Sequence, residues 1–445
     1  MLLPEKPFNL SQMRNRGLLI VVTLAALARF SLVFMAAQFS GEMHIFLPDS
    51  PSYVEPALSL MEEGSFATAG EAEIIRTPGY PLLLAVAEFL GGIESVIIPL
   101  QILFSLLTLL AVYGITLTLF KEKSIALSAA ALYAIEPQAI YFSHVVLSET
   151  LFTALLLLGL FCFVRWQESL RHGELFGAML LFCAAAYTRP IGLFIPFLLL
   201  GLAFWRQKEA RRSLVAAGLL CLLVIGAWNM RNHRVSGYSG FSAISDINLY
   251  AYQGAAIAAQ NEGKPYAQMQ QEFLQNAEQI EEKNKRYGWM RSEGLRLIGE
   301  HFFSYSLMHI KGMARTLFDP GATDYLKFFG AYPARGGLLT YALDHGLMAT
   351  LKHLLETKPG LFWSNVLCGL LLGLYYLLAL LGFKETLGSN KMLCLLLVGL
   401  CCYFWILSGG PISLHRFRHP IMPLLCVFAG PVLGRVWQLK RALAP

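Results

Sequence analysis

The chain has 445 residues, of which 56% are apolar and only 14% charged, and its mean hydropathy is +0.53. Soluble domains carry about 25% charged residues, so a soluble enzyme is excluded. The formal net charge of +6 has no basic stretch away from membrane flanks behind it, which excludes nucleic acid as a partner.

Nearly uncharged runs at 17–38, 96–120, 124–141, 149–165, 175–187, 190–205, 213–230, 361–383, 392–408 and 419–435 predict an all-α polytopic membrane protein with about ten spans. The first run has no small-residue cleavage site after it and is expected to stay as a span rather than be removed as a signal peptide. Tyr80 to Leu90 is apolar but, at about 11 residues, too short to span, so it reads as an interfacial or re-entrant helix in the first outer loop. The 8 cysteines all lie inside apolar runs, without CxxC or Cys/His spacing, and behave as small hydrophobes.

With the N-terminus inside, Lys6, Arg14, Arg16, Lys121, Lys123, the Arg206 to Arg212 cluster, Lys384, Lys391, Arg435, Lys440 and Arg441 fall on the cytoplasmic side, leaving Arg76, Arg189, Arg416 and Arg418 outside. This predicts an N-terminal membrane module, 1–230, with an acidic outer loop at 39–95. An outer-face segment at 231–360 follows, then a C-terminal membrane module at 361–445. Within 231–360, Tyr266 to Phe303 is a polar helical stretch. Leu307, Ile310, Ala314 and Leu317, with Lys311 and Arg315 interleaved, fit a helix lying flat on a bilayer.

Arg29 lies inside the first span, where a charge costs about 2.5–3.5 kcal/mol on translocon scales; it either faces protein or snorkels to the outer interface. Asp49, after that span, and Glu149, opening the fourth, come to the same outer face. Such a pair can share a divalent cation, Mg2+ or Mn2+, or supply a general base and its orienting partner. Alternatively Asp49 is a turn or helix-cap residue and Glu149 a first-turn carboxylate favoured by the helix dipole. Arg76, Arg189, Arg231, Arg416 and Arg418 reach the outer rim, each a headgroup anchor or together a site for an anion such as phosphate.

The order of these motifs resembles that of the GT-C superfamily of membrane glycosyltransferases. The first outer loop carries it with Arg29, then Asp49-Ser-Pro-Ser-Tyr53, Ala57 and Gly64, then Arg76-Thr-Pro-Gly-Tyr-Pro81. Glu136-Pro137, Ser148-Glu149, Thr188-Arg189-Pro190-Ile-Gly192, Trp228-Asn-Met-Arg231-Asn232, Gly240-Phe241 and Asn248-Leu249 follow in order, closed by Arg416-Phe-Arg418-His-Pro420-Ile-Met-Pro423. The most similar branches are the aminoarabinose transferases and the protein O-mannosyltransferases of the glycosyltransferase family 39 type. Asp49-Ser50 stands where the protein mannosyltransferases have an adjacent Asp-Glu pair. No Trp-Trp-Asp occurs in the outer segment, and no large soluble domain follows the last span, so oligosaccharyltransferase activity is not expected.

The resemblance implies a GT-C-like bundle in a membrane, the bacterial inner (plasma) membrane, with its site on the periplasmic or extracellular face. It implies a polyprenyl-phosphate or pyrophosphate sugar as donor, a glycan, lipid or protein hydroxyl as acceptor, and inversion at the anomeric carbon. Asp49 would then be the base, with Glu149 assisting or sharing a cation. The five arginines would stabilise the leaving phosphate, and Tyr53, Tyr80, His144 and Asn232 would support them. A transporter or flippase for a lipid-linked anion is the alternative reading, since it too would need outer arginines and many spans.

Overall fold

The computed structural model describes residues 15–39, 44–329, 346–357 and 359–442. Lys6 and Arg14, and parts of the expected outer segments at 40–43 and 330–345, lie outside the described residues. The first half is built of α1 (Arg16–Phe39), α2 (Pro51–Glu62), a hairpin of β1 (Ala67–Thr68) and β2 (Glu71–Ala72), α3 (Gly79–Phe89), α4 (Ile93–Phe120), α5 (Lys123–Ala134), α6 (Pro137–Phe142), α7 (Glu149–Ser169), α8 (His172–Thr188), α9 (Ile195–Arg206) and α10 (Arg211–Ser236). A helical unit follows: α11 (Ile244–Ile247), a π-helical turn at Asn248–Gly254, α12 (Ala255–Glu262), α13 (Tyr266–Glu278), α14 (Lys283–Glu300), α15 (Phe302–Phe318) and α16 (Ala322–Phe328). The chain then continues as α17 (Leu347–Thr357), α18 (Pro359–Ser389), α19 (Lys391–Leu407), a 3-10 turn at His415–Arg418 and α20 (Met422–Ala442).

Five described helices, α1, α4, α7, α10 and α18, are long and apolar enough to cross a membrane, while α9, α19 and α20 are shorter apolar helices. The main core joins α4, α5, α7, α8 and α20, around Val112, Phe163, Trp166, Phe182 and Val427. The expected span at 124–141 is divided in two. Pro137 disfavours a helical Glu136, and Glu136 instead caps α6, its Oε2 accepting from Ala139 N at 2.5 Å. The short hairpin pairs Ala67 with Ala72 in antiparallel register and is the one strand pair among the described residues.

Arg29 faces protein rather than snorkelling. It is fully buried, with Nε donating to Ser105 Oγ at 3.0 Å and Nη1 to Ala25 O and Ala134 O, both at 3.1 Å. Three hydrogen bonds thus offset its desolvation. The apolar stretch expected to be interfacial is α3, whose 11 residues reach about 16 Å, half a bilayer core. Its first residue explains its placement: a Cβ on Gly79 would stand 2.8 Å from Tyr187 O and Thr188 Oγ1. Only glycine allows the approach that brings the Arg76 loop against the end of α8. On α15, Phe302, Phe303, Leu307, Ile310 and Phe318 are exposed.

Candidate active site

Asp49 and Glu149, a hundred positions apart, are linked through Arg416 where the two short segments before α2 and α7 are tied together. Val146 N donates to Ile45 O at 2.8 Å, and Ser50 Oγ donates to Val146 O and accepts from Leu47 N, each at 2.8 Å. Pro51 then starts α2, whose N-terminal Ser50 makes no side-chain cap bond. The Asp49 carboxylate is engaged by an arginine. Its Oδ2 accepts from Arg416 Nη2 at 2.6 Å.

From there a closed ring of polar contacts can be followed. Arg416 Nε lies 3.8 Å from Glu149 Oε1, and Arg189 Nη1 lies 2.5 Å from the same oxygen. Arg189 also donates to Ser148 Oγ at 3.4 Å, and Ser148 Oγ is 3.2 Å from Tyr53 Oη. Arg76 donates to Tyr53 Oη at 3.1 Å and, through Nε, to Ser52 Oγ at 2.9 Å, with its guanidinium 4.4 Å above the Tyr53 ring. Ser52 Oγ donates to Asp49 O at 2.6 Å, which closes the circle.

Each arginine is aimed by its backbone. Pro190 removes Arg189 from helical conformation at the end of α8, leaving it extended at φ −143°. The 3-10 turn presents Arg416. Three guanidiniums against two carboxylates leave an excess positive charge. Burial opposes ionisation of Asp49, but Arg416 first, and then Arg76 and Arg189, hold its carboxyl below the usual range. Its side chain is 37% exposed, against 4% for Glu149, so Asp49 is the carboxylate a ligand from solvent meets. Glu149 Oε2, Arg416 Nε and His419 Nε2 are buried and have no hydrogen-bond partner in the protein.

The other expected residues lie elsewhere. Tyr80 is fully buried behind the ring, its hydroxyl donating to Gln101 Oε1 at 2.8 Å and its ring edge-on to Tyr53 at 5.3 Å. His144 is buried between Ile140 O, 2.7 Å from Nδ1, and Arg29 O, 2.8 Å from Nε2, and joins α1 to α6. Asn232 Nδ2 donates to Gly240 O and Phe241 O at 3.0 and 3.2 Å. Arg231 donates to Glu73 O at 2.5 Å and Phe66 O at 2.9 Å. Arg418 is 1% exposed and donates to the carbonyls of Thr316, Leu317 and Asp319. Arg231 and Arg418 are thus consumed by backbone carbonyls, and the structure does not bring them to the ring.

Arg418→Ala would leave those carbonyls without their donor, at about 1–3 kcal/mol for an unsatisfied buried group. The expected result is a lowered thermal midpoint in detergent with any ligand affinity of the folded fraction unchanged.

Of the pair expected to share a cation, guanidiniums contact one oxygen of each, Asp49 Oδ2 and Glu149 Oε1, while Glu149 Oε2 has no protein partner; among the described residues no group of three or more His, Cys, Asp or Glu side chains is placed to hold a metal ion.

Several residues were given no site role by the sequence. Ser52 and Ser148 complete the ring, and Glu73 shapes the loop before Arg76. His419, whose Nδ1 is 2.8 Å from Thr153 Oγ1, borders Glu149. His415 Nε2 lies 2.6 Å from Asp324 Oδ2, and its Nδ1 is 3.5 Å from Asp319 Oδ2. Burial opposes the charge on His415, yet the two carboxylates outweigh it and hold the imidazolium up to about 9, while Asp319 is held down to about 2. Because the folded value of His415 is raised, its stabilisation is complete below about pH 6.5 and is lost as pH rises through about 9. Thermal midpoints in detergent should therefore fall between those values, and His415→Gln should flatten that fall.

Residues 76–229 match the family described as dolichyl-phosphate-mannose-protein mannosyltransferase. No curated protein sequence matches the chain. Among solved structures it is similar to the Archaeoglobus fulgidus oligosaccharyltransferase AglB in complex with an inhibitory peptide and a dolichol-phosphate. The TM-score is 0.52 at 15% identity, covering 96% of this chain and 51% of that one. A second structure of the Archaeoglobus fulgidus enzyme, tethered to an acceptor peptide with an NVT sequon, gives 0.52 at 14% identity over 98% of this chain and 51% of the other. The chain spans about half the length of these structures. The fold is the GT-C fold, and the family match and the fold agree with the resemblance carried by the motifs.

Proposed function

We propose that this GT-C-fold membrane protein transfers a sugar from a polyprenyl-phosphate or pyrophosphate donor to an acceptor hydroxyl on the non-cytoplasmic face of a bacterial inner membrane. The observation that carries the reading is the ring itself: Asp49, the one solvent-accessible carboxylate in it, stands among Arg416, Arg76 and Arg189. The excess positive charge suits a phosphate, and the exposed carboxylate suits an acceptor hydroxyl.

In this mechanism the donor phosphate takes the guanidiniums and Asp49 takes the acceptor proton. An arriving phosphate competes with Asp49 for Arg416, and losing that partner makes the carboxylate a stronger base where the acceptor needs one. As the bond to the anomeric carbon breaks, charge grows on the leaving phosphate oxygen, and Arg416, Arg189 and Arg76 stabilise it. Attack from the opposite side inverts the anomeric centre. Glu149 assists from behind Asp49, its Oε1 holding Arg189 at 2.5 Å and lying 3.8 Å from Arg416 Nε.

Two experiments bear on this reading. Cells carrying Asp49→Asn should lack one surface sugar by mass spectrometry and accumulate the lipid-linked donor; glycans and lipid donors identical to those of the wild type would contradict it. For the face, cysteines placed at Glu63 and Gln270 should both react with an impermeant reagent from outside. Protection of either one in folded protein would contradict the orientation.

A further inference from the structure

Glu73 lies in the loop between β2 and α3 and is 5% exposed. Burying a carboxylate is costly unless its oxygens are paired, and here the pairing is local. Oε1 accepts from the backbone N–H groups of Ile75 and Arg76 at 2.5 and 2.7 Å, and Oε2 accepts from Thr68 Oγ1 at 2.6 Å. One side chain thereby fixes the backbone of the residue whose guanidinium enters the ring.

The same loop is held from two further directions. Arg231, at the end of α10, donates to Glu73 O and Phe66 O, with its guanidinium 4.9 Å from the Trp228 ring and 5.4 Å from that of Phe66. From the helical unit after α10, Ala243 N donates to Ile74 O at 2.9 Å and Ser242 Oγ to Ile75 O at 2.5 Å. Ile74, 1% exposed, is buried with Tyr238, Tyr250, Tyr287 and Met290. The carbonyls of residues 73, 74 and 75 and the N–H groups of 75 and 76 are all paired, so the loop has little freedom where it meets Arg76.

We propose that Glu73 is a positioning residue, holding the 66–76 loop so that Arg76 stays on Tyr53 and Ser52 beside Asp49. An arginine side chain is long and loses much rotamer freedom when held in one geometry. A backbone fixed at its root lets the contacts to Tyr53 Oη and Ser52 Oγ select one conformer. The effect is geometric, so an amide in place of the carboxylate serves: one oxygen still accepts from both N–H groups, and the NH2 donates to the Thr68 hydroxyl. The proposal rests on the phosphate-binding reading of the ring for one of its two measurements only.

The first measurement is the affinity of detergent-solubilised protein for undecaprenyl phosphate, in wild type, Glu73→Ala, Arg76→Ala and the double variant. Each single change is expected to weaken binding by roughly ten- to a hundredfold. The double variant should be no weaker than Arg76→Ala, because both changes remove one thing, and Glu73→Gln should bind as wild type does. The second measurement does not depend on donor identity: the Asp49 carboxylate is titrated by infrared difference spectroscopy, its band assigned with Asp49→Asn. Glu73→Ala and Arg76→Ala should raise its midpoint by the same amount.

If Glu73→Ala lowers the thermal midpoint yet leaves the Asp49 titration at its wild-type position, or if the losses multiply in the double variant, Glu73 is structural only and the proposal fails. A wild type that does not bind undecaprenyl phosphate, with the titration shifting as described, would instead count against the phosphate reading and leave the positioning role standing. Should Glu73→Ala not fold, Thr68→Val removes one of its three hydrogen bonds, and the same ordering is expected at smaller size.

Discussion

Asp49→Asn should lower turnover by about a hundred- to ten-thousandfold, the usual weight of a general base. The substitution keeps the shape of the side chain and removes the proton acceptor. It also removes the charge that competes for Arg416, so the donor should bind at least as tightly as in the wild type. A loss in kcat with unchanged or lower KM for the donor is the expected signature in steady-state kinetics. In the free protein Arg416, Arg76 and Arg189 hold the Asp49 carboxyl below the usual range. A base must be deprotonated to act, so kcat/KM should hold through mildly acidic pH and fall only as pH passes below the ordinary carboxylate region. Full activity in Asp49→Asn would remove the residue from the mechanism.

Arg416→Ala should cost about a hundred- to a thousandfold in turnover, as when one preorganised donor to a developing oxyanion is removed. Arg416 touches Asp49 at 2.6 Å and approaches Glu149 at 3.8 Å, so it is the one guanidinium that joins the two acids. Lysine should restore only part of the loss, because it has no planar fork with which to meet two oxygens. Arg418→Ala is the matched control: two positions away, it should lose stability and leave donor affinity in the folded fraction intact. Equal losses of donor affinity in both variants would contradict the separation drawn between them.

That separation marks where the sequence stopped being legible. The helices could be read because apolar runs of membrane length have few other fates, and the split at Pro137 was there to see in the proline. Topology led to the expectation that Asp49 and Glu149 share the outer face; their link through Arg416 came only with the structure. Which arginines join them did not, because all five sit near helix ends and their depth depends on local turns. Arg416 and Arg418 are two positions apart on a 3-10 turn, so about 240° of rotation separates their side chains. One faces the ring and the other the carbonyls of α15. Asn232 and Tyr80 were grouped with the site by motif order and His144 as a support beside Glu149, but each is spent on backbone or buried contacts. Glu73 was missed because an acid three positions before an arginine looks like any exposed loop charge. Only the backbone N–H groups around it reveal its use.

Transfer from a lipid phosphate at the ring can be followed directly. The direct measurement uses protein reconstituted in proteoliposomes with a polyprenyl-phosphate sugar confined to the outward leaflet and an acceptor mixture outside, with the lipid products followed by mass spectrometry. The expected result is acceptor-dependent release of the free polyprenyl phosphate, lost in Asp49→Asn. Movement of the intact lipid-linked sugar between leaflets, without release of polyprenyl phosphate and at the same rate in Asp49→Asn, would contradict it and support a transporter of lipid-linked anions.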